Sequence, residues 1–346
     1  CDIPSGVHAD TGQIPGASLR ADVTVTFGGP KVGLLAGAGA QHAGEVHVID
    51  IGIGPELTAI EDPWWVAESA DVARYFGPPS WDVHKYSRGV LSVVAGSPEY
   101  PGAAVLVTTA AAATGLGYLS LVAEPPRGKA VAEQVLTATP QTVVLDSVSP
   151  KATALVVGPG LGETARSQQA VLSALQVGAE RHLPVLVDAS GLEELDADVI
   201  AQSYGALVVT PHVGEMQRLT QRLASDVADE PVVQQAEVVA QRFGVWVVLK
   251  SDTTYVVGPA GQRSLHPSYT AELASAGTGD TLAGILGAGL ATLDPTDNAF
   301  SQDLFGMLTA GVRLHSMAGE LAAADGGVDV STLHDYIRQA KRHLLE

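Results

Sequence analysis

The sequence predicts an α/β protein, a three-layer α/β/α sandwich around a mostly parallel sheet. Three observations carry this. From Gly89 onward, short strands that are apolar throughout alternate with helical stretches, the pattern of a parallel sheet covered on both faces. The candidate functional residues fall at the carboxyl ends of those strands, where ligands of such sheets bind. With 346 residues, 46% hydrophobic and 16% charged, the chain can bury one large core and still carry a smaller piece.

Residues 1–60 read as strand and turn. Asp2-Ile3-Pro4-Ser5-Gly6 is a strand end entering a turn, residues 21–27 alternate at period two, and residues 44–52 form another strand. Two or three strands with little helix cannot close a core, so this piece must lean on something else. Cys1 is not an initiator Met, and an N-terminal part is expected to precede it. Residues 61–86 read as a connector, with Trp64, Trp65, Trp81, Gly77 and Pro78-Pro79 packing on a domain surface. Residues 87–346 then form the main domain.

Residues 90–97 are a strand ending in Gly96-Ser97, and residues 102–114 an Ala-rich helix closed by Gly115 and Gly117. Strands follow at 119–122, 143–145 and 154–157. The last runs into Gly158-Pro159-Gly160-Leu161-Gly162 and a helix over 165–181. Strands at 184–188 and 206–210 come next, then a helix over about 231–243 and strands at 245–250 and 254–257. Ser275 to Gly284 opens an apolar helix from Thr281 to about Thr292, and helices over about 302–323 and 330–345 end the chain.

A net charge of −19 argues against general nucleic-acid binding. No apolar run reaches the roughly 18–20 residues that span a bilayer, and Cys1-Asp2-Ile3-Pro4 does not read as a secretory leader. A single cysteine excludes an internal disulfide and a Cys-based zinc site, and suits a reducing cytoplasm.

The chemistry centres on Gly277-Thr278-Gly279-Asp280. Small residues at a helix start let backbone amides approach an anion, and those amides lack internal partners. Asp280 either caps the helix or takes a proton from a hydroxyl that attacks a phosphate. Gly158 to Gly162 is either backbone near a phosphate or sugar, or an ordinary tight turn. His212 and Glu215, three apart at a strand-to-helix junction, read as a functional pair, with His212 on substrate and Glu215 holding magnesium through water. The alternative is a loop histidine and a first-turn carboxylate. Lys250 emerges at a strand end before the polar loop Ser251-Asp252-Thr253-Thr254, and Asp188 ends another strand. Gly96-Ser97 with Tyr100 to Ala104 suits a flat ligand lying on backbone, or a close helix–sheet contact.

This ordered set resembles the ADP/ATP-dependent NAD(P)H-hydrate dehydratases, which are ribokinase-like proteins. The motifs are Gly96-Ser97 with Tyr100-Pro101-Gly102-Ala103, Gly158 to Gly162, Asp188-Ala189, Thr210-Pro211-His212 with Gly214-Glu215, Lys250 to Thr254, and Gly277 to Asp280. The resemblance covers about residues 85–320. Residues before 60 resemble the last part of the NAD(P)H-hydrate epimerase domain, through Asp2 to Gly6 (with Asp2 and Ser5 as its site remnant), Thr24 to Phe27 and Lys31. The epimerase's earlier glycine-rich segment has no counterpart, so epimerase activity is not expected of these residues.

The resemblance implies repair of the S epimer of hydrated NADH or NADPH, with ADP or ATP as co-substrate and Mg2+ required. It implies Asp280 as base, and Ala103, Gly162, His212 and Asp280 around the hydrated cofactor. Lys250, Ser251, Asp252, Thr253, Thr254 and Gly279 would hold the nucleotide, and Gly277, Thr278 and Gly279 the transferring phosphoryl group. Relatives assemble as tetramers or larger. The lysine loop departs from the family in having Ser251 where glycine commonly follows the lysine. A kinase of a small alcohol on the same fold, or a non-catalytic nucleotide-binding protein, are the competing readings.

Overall fold

The computed structural model describes residues 1–60, 62–123, 128–203 and 206–344. Glu61, the first residue of the expected connector, and Leu345, the last of the expected terminal helix, lie outside the described residues.

In chain order the N-terminal segment holds β1 (Val23–Phe27), α1 (Val32–Leu35), α2 (Gly37–Ala43), β2 (Glu45–Ile49) and α3 (Gly54–Thr58). Strands β1 and β2 pair in parallel as a separate two-stranded sheet. The expected strands are present, but the segment carries more helix than its strand-and-turn reading. The Gly/Ala-rich run 33–43 has too few large apolar residues to show a helical period. Leu34 and Leu35 are buried in the same core as Leu249, Tyr255 and Leu265 of the main domain. That contact is how so small a piece is held. Asp2 meets Thr26 and Lys31, 24 and 29 residues further on: Asp2 Oδ1 accepts from Lys31 Nζ at 2.5 Å and from Thr26 Oγ1 at 3.0 Å.

The stretch 61–86 is more than a connector. It contributes α4 (Ser69–Phe76), whose Val72 and Phe76 enter the main core. Trp64 stands edge-on to Tyr255, while Trp81 is 97% exposed.

The main domain continues with β3 (Val90–Val94), α5 (Pro101–Thr114), β4 (Tyr118–Val122), α6 (Gly128–Ala138), β5 (Val143–Leu145), β6 (Ala154–Val157), α7 (Ala165–Arg181) and β7 (Val185–Val187). It ends with α8 (Ala197–Gln202), β8 (Leu207–Val209), α9 (Val213–Leu223), α10 (Val232–Phe243), β9 (Trp246–Leu249), β10 (Thr253–Val257), β11 (Arg263–Pro267), α11 (Thr278–Leu290), α12 (Phe300–Ala324) and α13 (Leu333–His343). Among the described residues nine strands form one sheet, ordered β11-β10-β9-β8-β7-β6-β3-β4-β5. The strands from β9 to β5 run parallel, and β10 and β11 are antiparallel. β11 has no counterpart among the strands read from sequence. The main chain of Trp65 pairs with it, Trp65 N donating to Arg263 O and Leu265 N to Trp65 O.

One core lies under α5, α6, α11, α12 and α13, the other under α7, α9 and α10. Helix α11 is apolar all round and almost wholly buried, as a central helix must be. Its glycines let it sit close: a Cβ on Gly284 would stand 2.4 Å from the Val107 carbonyl of α5.

Candidate active site

The site is assembled from the ends of β6 to β9 and the mouth of α11. After β6 the chain turns at Gly158, whose φ of +118° is open to glycine and strained for other residues. A Cβ there would lie 1.9 Å from the Asp188 carbonyl, so the β6 turn and the end of β7 are in contact. Asp188 is 2% exposed. Its Oδ1 accepts from Thr210 Oγ1 at 2.8 Å and from Lys250 Nζ at 2.7 Å. Lys250 N donates to Pro211 O, and Lys250 and His212 face each other across a parallel bridge. The ends of three neighbouring strands thus deliver Asp188, His212 and Lys250 to one place.

Helix α11 faces them. It begins at Thr278, earlier than the Thr281 start read from sequence. Gly277, at φ +95°, is the N-cap, and no side chain caps this helix. Asp280 therefore lies inside the first turn and the capping alternative for it does not hold. Thr278 N already donates to Ser275 O at 3.3 Å. The first-turn amides that helix geometry leaves for an anion are those of Gly279 and Asp280. Lys250 reaches across this mouth: a Cβ on Gly279 would be 3.2 Å from its Nζ.

Burial pushes the Asp280 carboxyl up from 3.8 to about 6, and the Asp188 charge adds to this; Lys250 pulls the other way. Asp188→Asn removes one raising charge and leaves Lys250 uncommitted. The Asp280 carboxyl is then expected to titrate below 6, as read by carbon NMR of the carboxyl; an unchanged midpoint would show the two groups are uncoupled.

A cavity of about 1110 Å³ opens beside Gly279. Lys250 to Thr254, Thr278, Gly279, His266 and His315 line it, with residues of α1, α2 and β2 opposite. Asp280 is not in its wall, although it feels the charges of Asp188 and Lys250. The polar loop expected at Ser251 to Thr254 is shorter than read, because Thr253 begins β10, is buried, and donates its hydroxyl to Leu35 O at 3.3 Å. His315 is a residue that sequence reasoning missed. Burial lowers it to about 4, a hydrogen bond with the Thr278 backbone opposing. It is therefore a neutral imidazole, and its Nε2 has no protein partner.

Ala103 lies in the first turn of α5. A Cβ on Gly160 would be 2.5 Å from Ala103 Cβ, and one on Gly162 4.0 Å from the Tyr100 ring. A turn further along α5, Leu106 packs on Gly277, where an added Cβ would be 2.6 Å away. Residues three apart share a helix face, so Ala103 lies on the side of α5 that meets the α11 mouth. Gly96 and Ser97 line a second cavity of about 650 Å³ with Leu161, Thr164 and Arg166.

His212 and Glu215 adopt the arrangement of a reciprocal helix cap. His212 Nδ1 accepts from Gly214 N and Glu215 N, and Glu215 Oε2 accepts from His212 N at 2.8 Å. The His212 ring remains half exposed, with Nε2 3.5 Å from Glu215 Oε1. Among the described residues no group of three or more His, Cys, Asp or Glu forms a metal cage.

Comparison with known proteins gives the family. Residues 91–342 match the family described as NAD(P)H-hydrate dehydratase, and residues 1–33 match the YjeF-related protein N-terminus. The chain belongs to the NAD(P)H-hydrate dehydratase family. It is 38% identical to the bifunctional NAD(P)H-hydrate repair enzyme Nnr of Mycobacterium leprae over 334 residues, covering 94% of this chain and 63% of the relative. It is 34% identical to the Nnr of Thermofilum pendens, covering 100% of this chain and 67% of that one. The chain thus spans a little under two thirds of the M. leprae protein. In structure it is similar to the ADP/ATP-dependent NAD(P)H-hydrate dehydratase of Bacillus subtilis co-crystallized with ATP/Mg2+, at 25% identity and a TM-score of 0.66 over 82% of this chain and 98% of that one. The ribokinase-like α/β fold expected of a family member is the one observed. No described helix is long and apolar enough to cross a membrane.

Proposed function

We propose that this chain dehydrates the S epimer of hydrated NADH or NADPH at the expense of ADP or ATP. The carrying observation is Asp280, a half-buried carboxyl poised near pH 6 in the first turn of a glycine-opened helix, with a nucleotide-sized cavity beside it. A carboxylate that only capped the helix would have no reason to feel the charges of both Asp188 and Lys250.

The nucleotide would lie in the large cavity with its phosphates at Gly279 and Lys250. Gly277, Thr278 and Gly279 form the anion-holding turn, the free amides being those of Gly279 and Asp280. Ser251, Asp252, Thr253 and Thr254 would hold the nucleotide from the β9–β10 side. The hydrated ring would approach from the Ala103, Gly162 and His212 side, with the rest of the dinucleotide running towards the second cavity. Asp280 takes the proton of the ring hydroxyl as that oxygen bonds to the terminal phosphorus and the bond to the nucleotide's bridging oxygen breaks. AMP or ADP leaves. The phosphorylated ring then loses phosphate and one ring proton, restoring the dihydronicotinamide. Positive charge from Lys250 and the helix amides offsets the charge that builds on the phosphoryl oxygens.

Mg2+ would enter with the nucleotide phosphates and shield their charge, a role that needs only one or two protein carboxylates. Glu215 is the candidate through water; its Oε2 takes the cap bond and its Oε1 stands 3.5 Å from His212 Nε2. We place the activity in residues 87–346, with 1–60 an epimerase-domain fragment carrying Asp2 and Ser5, and 61–86 between them. A cytoplasmic homotetramer or larger assembly fits this reading.

The decisive assay follows dihydronicotinamide absorbance when hydrated NADH or NADPH is mixed with ADP or ATP and Mg2+. Absorbance should return, with an acid limb of kcat/KM near pH 6 where Asp280 ionises. A small-alcohol kinase would leave a phosphorylated product, and recovery with neither nucleotide would remove the dehydratase reading.

A further inference from the structure

The N-terminal segment has no part in the reaction described above, yet it forms one side of the nucleotide cavity. Pro30, Leu34 and Leu35 line it, followed by Ala40 and Gln41 of α2 and Glu45, Val46 and Val48 at β2. The seating is built rather than incidental. Leu34 and Leu35 belong to the core beneath β9 and β10. The Leu35 carbonyl takes the hydroxyl of Thr253, within the stretch that follows Lys250. The opposite wall holds two neutral histidines, His266, which is buried, and His315, which is partly so.

Charge orders the cavity. Lys250 and the α11 amides stand at one part of it, and the exposed carboxylates of Glu45 and Asp252 are the other charged groups in its lining. A phosphate chain is drawn to the first and repelled by the others. The N-terminal wall is otherwise apolar, apart from Gln41, whose amide offers both a donor and an acceptor. An apolar surface with one such group fits a purine base, which presents a flat face and a donor–acceptor edge.

We propose that α2 and β2 form the base-side wall of the nucleotide cavity, with Gln41 pairing with the edge of the adenine. On this view the epimerase-like fragment is a working part of the dehydratase site. The inference rests on the nucleotide reading of the cavity, and the test separates the two.

ADP binding with Mg2+ would be measured by calorimetry on the full chain and on Gln41→Ala, Ala40→Trp, Lys250→Met and Leu19→Ala. Gln41 is exposed, so its loss should leave the melting temperature unchanged while weakening ADP about fivefold, the value of one hydrogen bond. Ala40→Trp fills the wall and should weaken ADP by more than about twentyfold. Leu19→Ala, in the same segment but outside the cavity, should bind as wild type. If Lys250→Met weakens ADP while Gln41→Ala and Ala40→Trp both bind normally, the N-terminal wall is not part of the site and the nucleotide reading stands. If the wild-type chain binds neither ADP nor ATP, the cavity is not a nucleotide site and this inference falls with it.

Discussion

Asp280→Asn is expected to lower turnover by about 10²–10⁴-fold, the range for loss of a positioned general base. Nucleotide affinity should hold or rise slightly, because a negative charge leaves the neighbourhood of the phosphates. The same change should stabilise the fold at neutral pH. Asp280 has its carboxyl raised from 3.8 to about 6, mainly by burial and secondly by Asp188. Two units correspond to roughly 3 kcal/mol of penalty for carrying the charge in the folded state. The sign follows from the direction of the shift. Below pH 3.8 the group is protonated in both states and imposes no penalty. As pH rises through the window from 3.8 to about 6, stability is lost, and above 6 the loss is complete. Asparagine carries no such charge. Its melting temperature should exceed that of wild type at pH 7 and converge with it near pH 4. Equal melting temperatures at pH 7 would mean that the carboxylate is better solvated than its burial implies. Retained turnover would remove Asp280 from the chemistry.

Gly158→Ala is expected to cost more than about 3 kcal/mol of stability, because two independent penalties add. The backbone is at φ +118°, where an alanine is strained. A methyl group would also meet the Asp188 carbonyl at 1.9 Å, and backbone atoms cannot step aside as a flexible side chain can. Relief requires the β6 turn to move away from β7, which displaces Asp188 and through it Lys250. Urea denaturation should show a lower midpoint with an unchanged slope. By contrast, Gly279→Ala meets only the tip of Lys250 at 3.2 Å. It should fold normally and lose nucleotide affinity instead. If Gly158→Ala is as stable as wild type, the contact between the β6 turn and Asp188 is looser than described.

Much of this arrangement is legible in the sequence. Continuous apolar runs such as 154–157 and 206–209, each followed by a helix, announce a parallel sheet. In such a sheet strand ends must share one edge, which is why Asp188, His212 and Lys250 could be grouped before any coordinates. What escapes is instructive. The start of α11 is misplaced because Gly277-Thr278-Gly279 looks like a loop; glycine has low helix propensity, and only packing against Leu106 and Val330 fixes it as a helix mouth. Helix α6 is unmarked because Val131 and Val135 are its main apolar signal, too little for a period. His315 sits in the middle of a long helix and reads as one more core position. Its relation to Thr278 exists only once α12 is folded against α11. The cap formed by His212 and Glu215 goes beyond both readings of that pair, a functional pair or a loop histidine with a first-turn carboxylate, because spacing alone does not show a histidine ring accepting from backbone amides.

The last strand of the large sheet has its outward side partly occupied by the backbone of Trp65, and Phe76 plugs the interior a short way further on. Cutting the gene at residue 87 to obtain the large domain alone would strip both away. The uncovered hydrogen-bonding groups of Arg263 and Leu265 would then be free to recruit a strand from a neighbouring molecule. On gel filtration such a shortened protein should run as larger aggregates than the parent chain's own assembly, whereas one begun at residue 62 should not. The tryptophan-rich stretch behaves as a fastener sewn to the large domain.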